Sequence, residues 1–254
     1  MQTALTIAGS DPTGGAGFQA DLKTFQALGV YGTSVPAVLT AQNTGGVSDI
    51  HELPPDFFSS QIDMLLKDVQ PDALKTGMLF TLDNVKIVAE KIREYSLENL
   101  VVDPVTVSST GVSLVGDEVL EAAKQYLFPL AKTVTPNVFE ASVLTGIDIQ
   151  NDKDVKEAAV KLKSFGSETV IITGGHLDRN AEDMLFDGKE FLMLENEKLE
   201  GNFHGTGCIF SAVLTACLAD GYTIKESFIR AKDFVYSAMK SAHYIGKGMK
   251  ILHL

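Results

Sequence analysis

Short β-branched runs alternate along the chain with longer stretches of helical period: TALTIAG, then GFQADLKTFQALG, then SVPAVLT. Segments of period two followed by segments of period 3.6 predict βαβ units around a mainly parallel sheet. Further strands are expected at ALKTGM (73–78), NLVVDPV (99–105), KTVTP (132–136) and TVIITGG (169–175), with helices near 55–68, 82–95, 116–130, 137–145 and 153–165. These strands end in Gly, Asp, Pro or Asn, and in an open α/β sheet such carboxyl-end turns line the crevice where ligands bind. DMLFD (183–187) and EFLML (190–194), joined by the turn signal DGK, predict an antiparallel hairpin at one sheet edge. Two closing helices follow, over 205–220 and 223–245. No linker, low-complexity tract or repeat period intervenes, so residues 1–254 are expected to form one domain.

Composition narrows the class. A chain of 254 residues can bury a sizeable core unaided. Its two cysteines, Cys208 and Cys217, stand nine residues apart on one expected helix, on opposite faces, so no disulfide is expected. The first residues lack a basic, then apolar, leader pattern, and no run is apolar for the length of a membrane span, which predicts a soluble cytoplasmic protein without a membrane partner. A net charge of −12 with scattered Lys and Arg argues against nucleic acid. Any phosphate chemistry must rely on local dipoles and metal.

Four places could carry chemistry. AGSDPTGGAGFQAD (8–21) sets Gly14, Gly15 and Gly17 between a strand and a helix beginning near Ala16, where small residues let a ligand approach the backbone; a plain connection explains the spacing equally well. Asp21, one turn into that helix, either faces solvent or points into the crevice as an acceptor, and Gln42 of LTAQNT offers a fork for the edge of a polar heterocycle. Asp103 ends the apolar strand VVDPV, while Asn137 and Glu140 of TPNVFE read as a capping box. Capping alone explains the last two, but their convergence with Asp103 on one sheet edge suits Mg²⁺ beside nucleotide phosphates. In HGTGC, the backbone of Gly205, Thr206, Gly207 and Cys208 forms the first turn of a helix, an anion hole whose field is expected to lower the Cys208 thiol pKa. The bland alternative makes Cys208 a small buried hydrophobe, the reading that suits Cys217.

The motifs LTIAGSDPTGGAGFQADLKTFQALGVYG, LTAQNTGGV, KTGML, VVDPV, TPNVFEASVLTG, the GGH of ITGGHL, and HGTGC, in that order, resemble the hydroxymethylpyrimidine/phosphomethylpyrimidine kinases of the ribokinase-like superfamily nearly end to end. The resemblance implies a three-layer α/β/α fold with a mainly parallel central sheet and an antiparallel edge hairpin. It also implies ATP- and Mg²⁺-dependent phosphorylation of 4-amino-5-hydroxymethyl-2-methylpyrimidine, its monophosphate, or both, by a homodimer. By motif, Asp21 and Gln42 would read the ring, with Gly9, Met78 and Val105 enclosing it. Asp103, Asn137, Glu140 and Thr173 would belong to the Mg-ATP side, with Asp103 and Glu140 toward the metal. Cys208 stands where sugar kinases of the superfamily carry an aspartate base.

Two positions depart from the family pattern: Ser109 and Thr173 stand where lysines near the phosphates are usual, and Lys247 of GKG is a candidate substitute. Three other readings stay open at this level. Vitamin B6 is also a flat heteroaromatic bearing a hydroxymethyl group, so a pyridoxine, pyridoxal or pyridoxamine kinase is the near alternative. The missing lysines favour a binding protein with weakened chemistry. A cysteine hydrolase would need His204 as base, and His176 of GGH reads as structural or nucleotide-side rather than metal-ligating.

Overall fold

In the computed structural model, which describes residues 1–106, 115–174 and 181–254, the chain enters through β1 (Thr3–Ala8), whose residues beyond Thr3 are all buried. A glycine-rich loop leads into α1 (Gly17–Ala27), and the chain returns through β2 (Tyr31–Pro36), parallel to β1. The stretch SVPAVLT is two strands rather than one. Ala37 separates β2 from β3 (Val38–Asn43), which leaves the sheet and pairs antiparallel with β4 (Gly46–Glu52), with a register shift at Ala41/Gln42. That ribbon was not legible in the periodicity, because Gly45 and Gly46 marked a turn but the polar β4 carried no apolar alternation.

The remaining layers follow the alternation closely. The helices α2 (Pro55–Leu66), α3 (Leu82–Glu94), α5 (Val138–Thr145) and α6 (Asp152–Lys163) alternate with β5 (Ala73–Thr76), β6 (Leu100–Val102), β7 (Ala131–Val134) and β8 (Thr169–Ile172). The helix expected over 116–130 is regular only as α4 (Asp117–Ala122); a wider turn, Ala123–Leu127, and a 3₁₀ turn, Phe128–Leu130, carry it to β7 because Pro129 cannot donate a helical hydrogen bond. The expected hairpin is present as β9 (Ala181–Phe186) and β10 (Phe191–Asn196). After β11 (Phe203–His204) come α7 (Thr206–Ala219) and α8 (Ile224–Lys240). α8 stops five residues short of the expected end, and β12 (Lys250–Ile251) returns to pair with β11.

Eight strands form one sheet in the order β10-β9-β8-β7-β6-β5-β1-β2, antiparallel only at β8-β9 and β9-β10. The chain winds outward from β1 to β2, then crosses to the other side of β1 and continues through β5, so the winding reverses between β1 and β5. Ligands of open α/β sheets bind at such a reversal, beyond the carboxyl ends of the strands.

Two apolar clusters sandwich the sheet. Phe58 and Ile62 of α2, Val88 of α3 and Leu162 of α6 pack with Leu5 and Leu74 on one face. Ala20 and Phe25 of α1, Val213 of α7 and Phe228 of α8 pack with Ala4 and Ala73 on the other. Every residue of α7 from Ile209 to Ala219 is buried, the signature of a helix enclosed on all sides. Its first turn, Thr206–Cys208, is what emerges at the crevice. Among the described residues no helix is long and apolar enough to cross a membrane.

Candidate active site

The glycine-rich loop is organised by a residue that spacing did not single out. The Asp11 carboxylate is buried and accepts hydrogen bonds from the backbone N–H groups of Thr13 (2.9 Å) and Ala16 (2.8 Å) and from the Thr13 hydroxyl. His204 Nε2 lies 2.7 Å from Asp11 Oδ2 and 3.3 Å from the Gln42 amide nitrogen. Burial opposes the Asp11 charge, but the His204 contact and the Thr13 donors outweigh it and hold the carboxyl below its usual range. One network therefore ties the loop, β3 and the histidine that opens HGTGC. His204 is engaged in that frame through Asp11 and Gln42.

Glycine is required where these parts meet. Gly205 has φ +80°, and a Cβ there would fall 1.8 Å from the Gly15 carbonyl oxygen. Gly17 has φ +59°, and a Cβ there would fall 2.5 Å from the Gly9 carbonyl oxygen. The starts of α1 and α7 thus sit backbone to backbone. A Cβ on Gly207 would meet nothing within 4 Å, so the α7 turn opens onto free space.

Beneath that turn lies a buried charge cluster. Lys75 shares the sheet face of Ala73 and is fully buried; its Nζ donates to Asp21 Oδ1 at 2.8 Å and to the Cys208 carbonyl at 3.2 Å, and stands 4.0 Å from Asp103 Oδ2. The second Asp21 oxygen accepts from the Thr6 hydroxyl at 2.6 Å. Burial opposes the Lys75 charge, yet Asp21, ahead of Cys208 and Asp103, outweighs it and holds the ammonium above its usual pKa. Asp103 is buried at the end of β6, pushed up by desolvation, and accepts from the Ser211 hydroxyl of α7 at 2.9 Å.

At the neighbouring strand ends, Asn137 and Glu140 form the expected reciprocal cap: Asn137 Oδ1 accepts from Glu140 N–H and Glu140 Oε2 from Asn137 N–H, each at 2.9 Å. Glu140 Oε1 also accepts from the Thr106 N–H at 3.2 Å. Burial first, then the charge of Asp103, pushes the Glu140 carboxyl up to about 8. Thr173 bridges to this cap, donating its N–H to Pro136 and accepting from Val138 N–H.

The structure brings several expected residues together and corrects others. Gly9 and Met78 touch, since a Cβ on Gly9 would lie 2.6 Å from Met78 Cε, and half-buried Val105 follows Asp103 at the same sheet edge. Asp21 is fully buried rather than solvent-facing, with one oxygen bonded to Lys75 and the other to Thr6. The expected fall in the Cys208 pKa is reversed: desolvation, then Asp103 and Asp21, push the thiol up to about 12 against the pull of Lys75 and the Gly17 N–H. Cys208 is half-buried, and desolvation of its sulfur outweighs its proximity to a helix start. Lys247 is exposed in a loop whose glycines Gly246 and Gly248 pack on Thr44, and no contact ties it to Asp103 or Glu140. Ser109 and His176 lie outside the described residues.

The donor set also bears on Mg²⁺. No group of three or more His, Cys, Asp or Glu side chains converges on a metal position among the described residues. The Asp103–Glu140 pair fits a hydrated ion shared with phosphates, because Mg²⁺ keeps most of its waters and uses one or two carboxylates. A cation there would offset the burial that, with the charge of Asp103, raises the Glu140 carboxyl. A cavity of about 670 Å³ opens elsewhere, between Gly14, Lys23 of α1 and the C-terminal His243 and His253; neither Cys208 nor Asp103 lines it.

The family described as phosphomethylpyrimidine kinase matches residues 11–253. The chain belongs to this family. A hydroxymethylpyrimidine/phosphomethylpyrimidine kinase of Bacillus subtilis is 46% identical over 96% of this chain and 92% of its own length. A thiamine biosynthesis bifunctional protein of Geobacter sulfurreducens is 44% identical over 97% of this chain, which spans only 51% of that longer protein. Among solved structures, phosphomethylpyrimidine kinase of Clostridium difficile shares 40% identity with a TM-score of 0.84, over 94% of this chain and all of that one. Staphylococcus aureus pyridoxal kinase in complex with pyridoxal shares 39% identity with a TM-score of 0.93, over all of this chain and 93% of that one. The phosphomethylpyrimidine kinase family thus accounts for the mainly parallel sheet with its antiparallel edge hairpin.

Proposed function

We propose that this chain transfers the γ-phosphoryl group of ATP to the hydroxymethyl group of 4-amino-5-hydroxymethyl-2-methylpyrimidine and to its monophosphate. The observation that carries this reading is the convergence of the α7 first turn, Cys208 and Asp103 at the winding reversal of the sheet, in a chain of this family. Gly9, Met78 and Val105 would enclose the ring, and Gln42, held beside His204, would face its polar edge. Phosphoryl transfer passes through a loose transition state, so the protein's work is alignment and charge stabilisation. The N–H groups of Thr206, Gly207 and Cys208 would face the migrating phosphoryl oxygens. Cys208, neutral at rest, would accept a hydrogen bond from the attacking hydroxyl and orient it; as the new O–P bond forms and the bond to the departing ADP breaks, the hydroxyl proton passes to an oxygen of the transferred phosphoryl group. Asp103 and Glu140 would hold a hydrated Mg²⁺, which supplies neutralisation of the polyphosphate charge. The family likeness also supports a cytoplasmic homodimer of single-domain subunits.

The pyridoxal kinase structures at TM-scores above 0.9 support a second substrate, pyridoxal, at the same site. ADP release should be measured with Mg-ATP and, in turn, the pyrimidine alcohol, its monophosphate and pyridoxal. Turnover on either pyrimidine is the expected result. Turnover on pyridoxal alone would replace the main reading, and tight ligand binding without ADP release from any of the three would establish a binding protein.

A further inference from the structure

Lys75 occupies a position where the fold asks for an apolar side chain. β5 lies inside a parallel sheet covered on both faces, and its neighbours Ala73 and Leu74 each enter an apolar cluster. An ammonium there is costly, and well-packed apolar residues commonly replace buried ion pairs without loss of stability. What distinguishes this ammonium is where its contacts lie. They reach α1 through Asp21, the first turn of α7 through the Cys208 carbonyl, and the end of β6 through Asp103. These three elements build the candidate active site, and the Cys208 carbonyl belongs to the turn that presents its N–H donors to the crevice.

We propose that Lys75 is a positioning residue for phosphoryl transfer: its buried ammonium grips the Cys208 carbonyl and the Asp21 carboxylate together, fixing the α7 turn against α1 and placing positive charge beside the Cys208 backbone. This rests on the kinase reading above. Cys208 is faced by Lys75 from β5, by Asp103 beyond β6, and by Asp21 and the Gly17 N–H of α1; Lys75 is the cation among them.

The test uses Lys75→Met, Asp21→Asn and the double variant, in which the cation and its partner are neutralised together so that no unpaired charge remains between them. The double variant should lose at least about tenfold more kcat than Asp21→Asn alone, while KM for ATP stays within about threefold of the parent, as expected when an interaction acts mainly in the transition state. Separately, without substrate, iodoacetamide labelling of Cys208 at about pH 9, read by peptide mass spectrometry, should slow about tenfold in Lys75→Met, one pKa unit of thiolate population. A folded double variant with the kcat of Asp21→Asn would overturn the proposal, as would a folded Lys75→Met labelled at the parent rate. If Lys75→Met does not fold, the double variant's kcat decides. The labelling needs no turnover, so a parent chain inactive on every alcohol would sink the kinase reading while leaving the placement of charge beside Cys208 separately tested.

Discussion

Replacing Gly205 by alanine perturbs the joint on which the site depends. The new methyl group would fall 1.8 Å from the Gly15 carbonyl oxygen, at a residue whose φ of +80° suits glycine. Holding a non-glycine residue in the left-handed region costs about 1–2 kcal/mol. Because the obstruction is backbone rather than a flexible side chain, the two loops must part, at a further cost of about 1–3 kcal/mol by analogy with overpacked cores. The sum, about 2–5 kcal/mol, corresponds to a Tm lowered by about 4–20 °C for a domain of this size. Turnover should fall as well, since α7 would no longer start against the glycine-rich loop. Scanning calorimetry with parallel ADP-release kinetics measures both. Gly207→Ala is the control: its methyl group meets nothing within 4 Å, and alanine is favoured over glycine inside a helix by about 1 kcal/mol. It should melt no lower than the parent while hindering ATP. A Gly205→Ala protein that melts within about 1 °C of the parent would refute the close-contact reasoning.

Two further outcomes follow from the charge environment. Glu140, pushed up to about 8 from 4.5, binds a proton in the folded protein that the unfolded chain has lost, so its contribution is favourable at low pH and disappears as pH rises from about 4.5 to 8. The stability of the parent relative to Glu140→Gln should therefore decline across that window, by up to about 1.4 kcal/mol per pH unit, in urea titrations; parallel curves would contradict this. Asp11 has the opposite sign: held below its usual range, it stabilises the fold above the normal aspartate pKa and loses that contribution as pH falls through its depressed value. Asp11→Ala should lower stability near pH 7 by at least about 2 kcal/mol, since it strands the Thr13 and Ala16 N–H donors and His204, and calorimetry showing no loss would place the loop's support elsewhere.

Strand and helix order was legible because β-branched runs and 3.6-residue periods alternate through most of the chain, and the Asn137–Glu140 cap was legible because both partners lie within one turn. The charge cluster was not. Asp21 and Lys75 are 54 residues apart, and Asp11 and His204 are 193 apart, so only the folded topology joins them. A signal for Lys75 did exist: a lysine inside the short strand ALKT, in a sheet expected to be covered on both faces, has no solvent to reach and must find a buried acid. The raised pKa of Cys208 was not legible for a different reason. The field of a helix start can be read from sequence, but the burial that overrides it depends on how closely α1, β5 and β6 approach the sulfur.

The most direct measurement is turnover of Cys208→Ala beside its melting temperature. Cys208→Ala should lose at least about a hundredfold in phosphoryl transfer to the pyrimidine alcohol, the scale of a misaligned attacking group, with Tm within about 2 °C of the parent. Phosphoryl transfer at the parent rate in a normally folded Cys208→Ala protein would contradict the account.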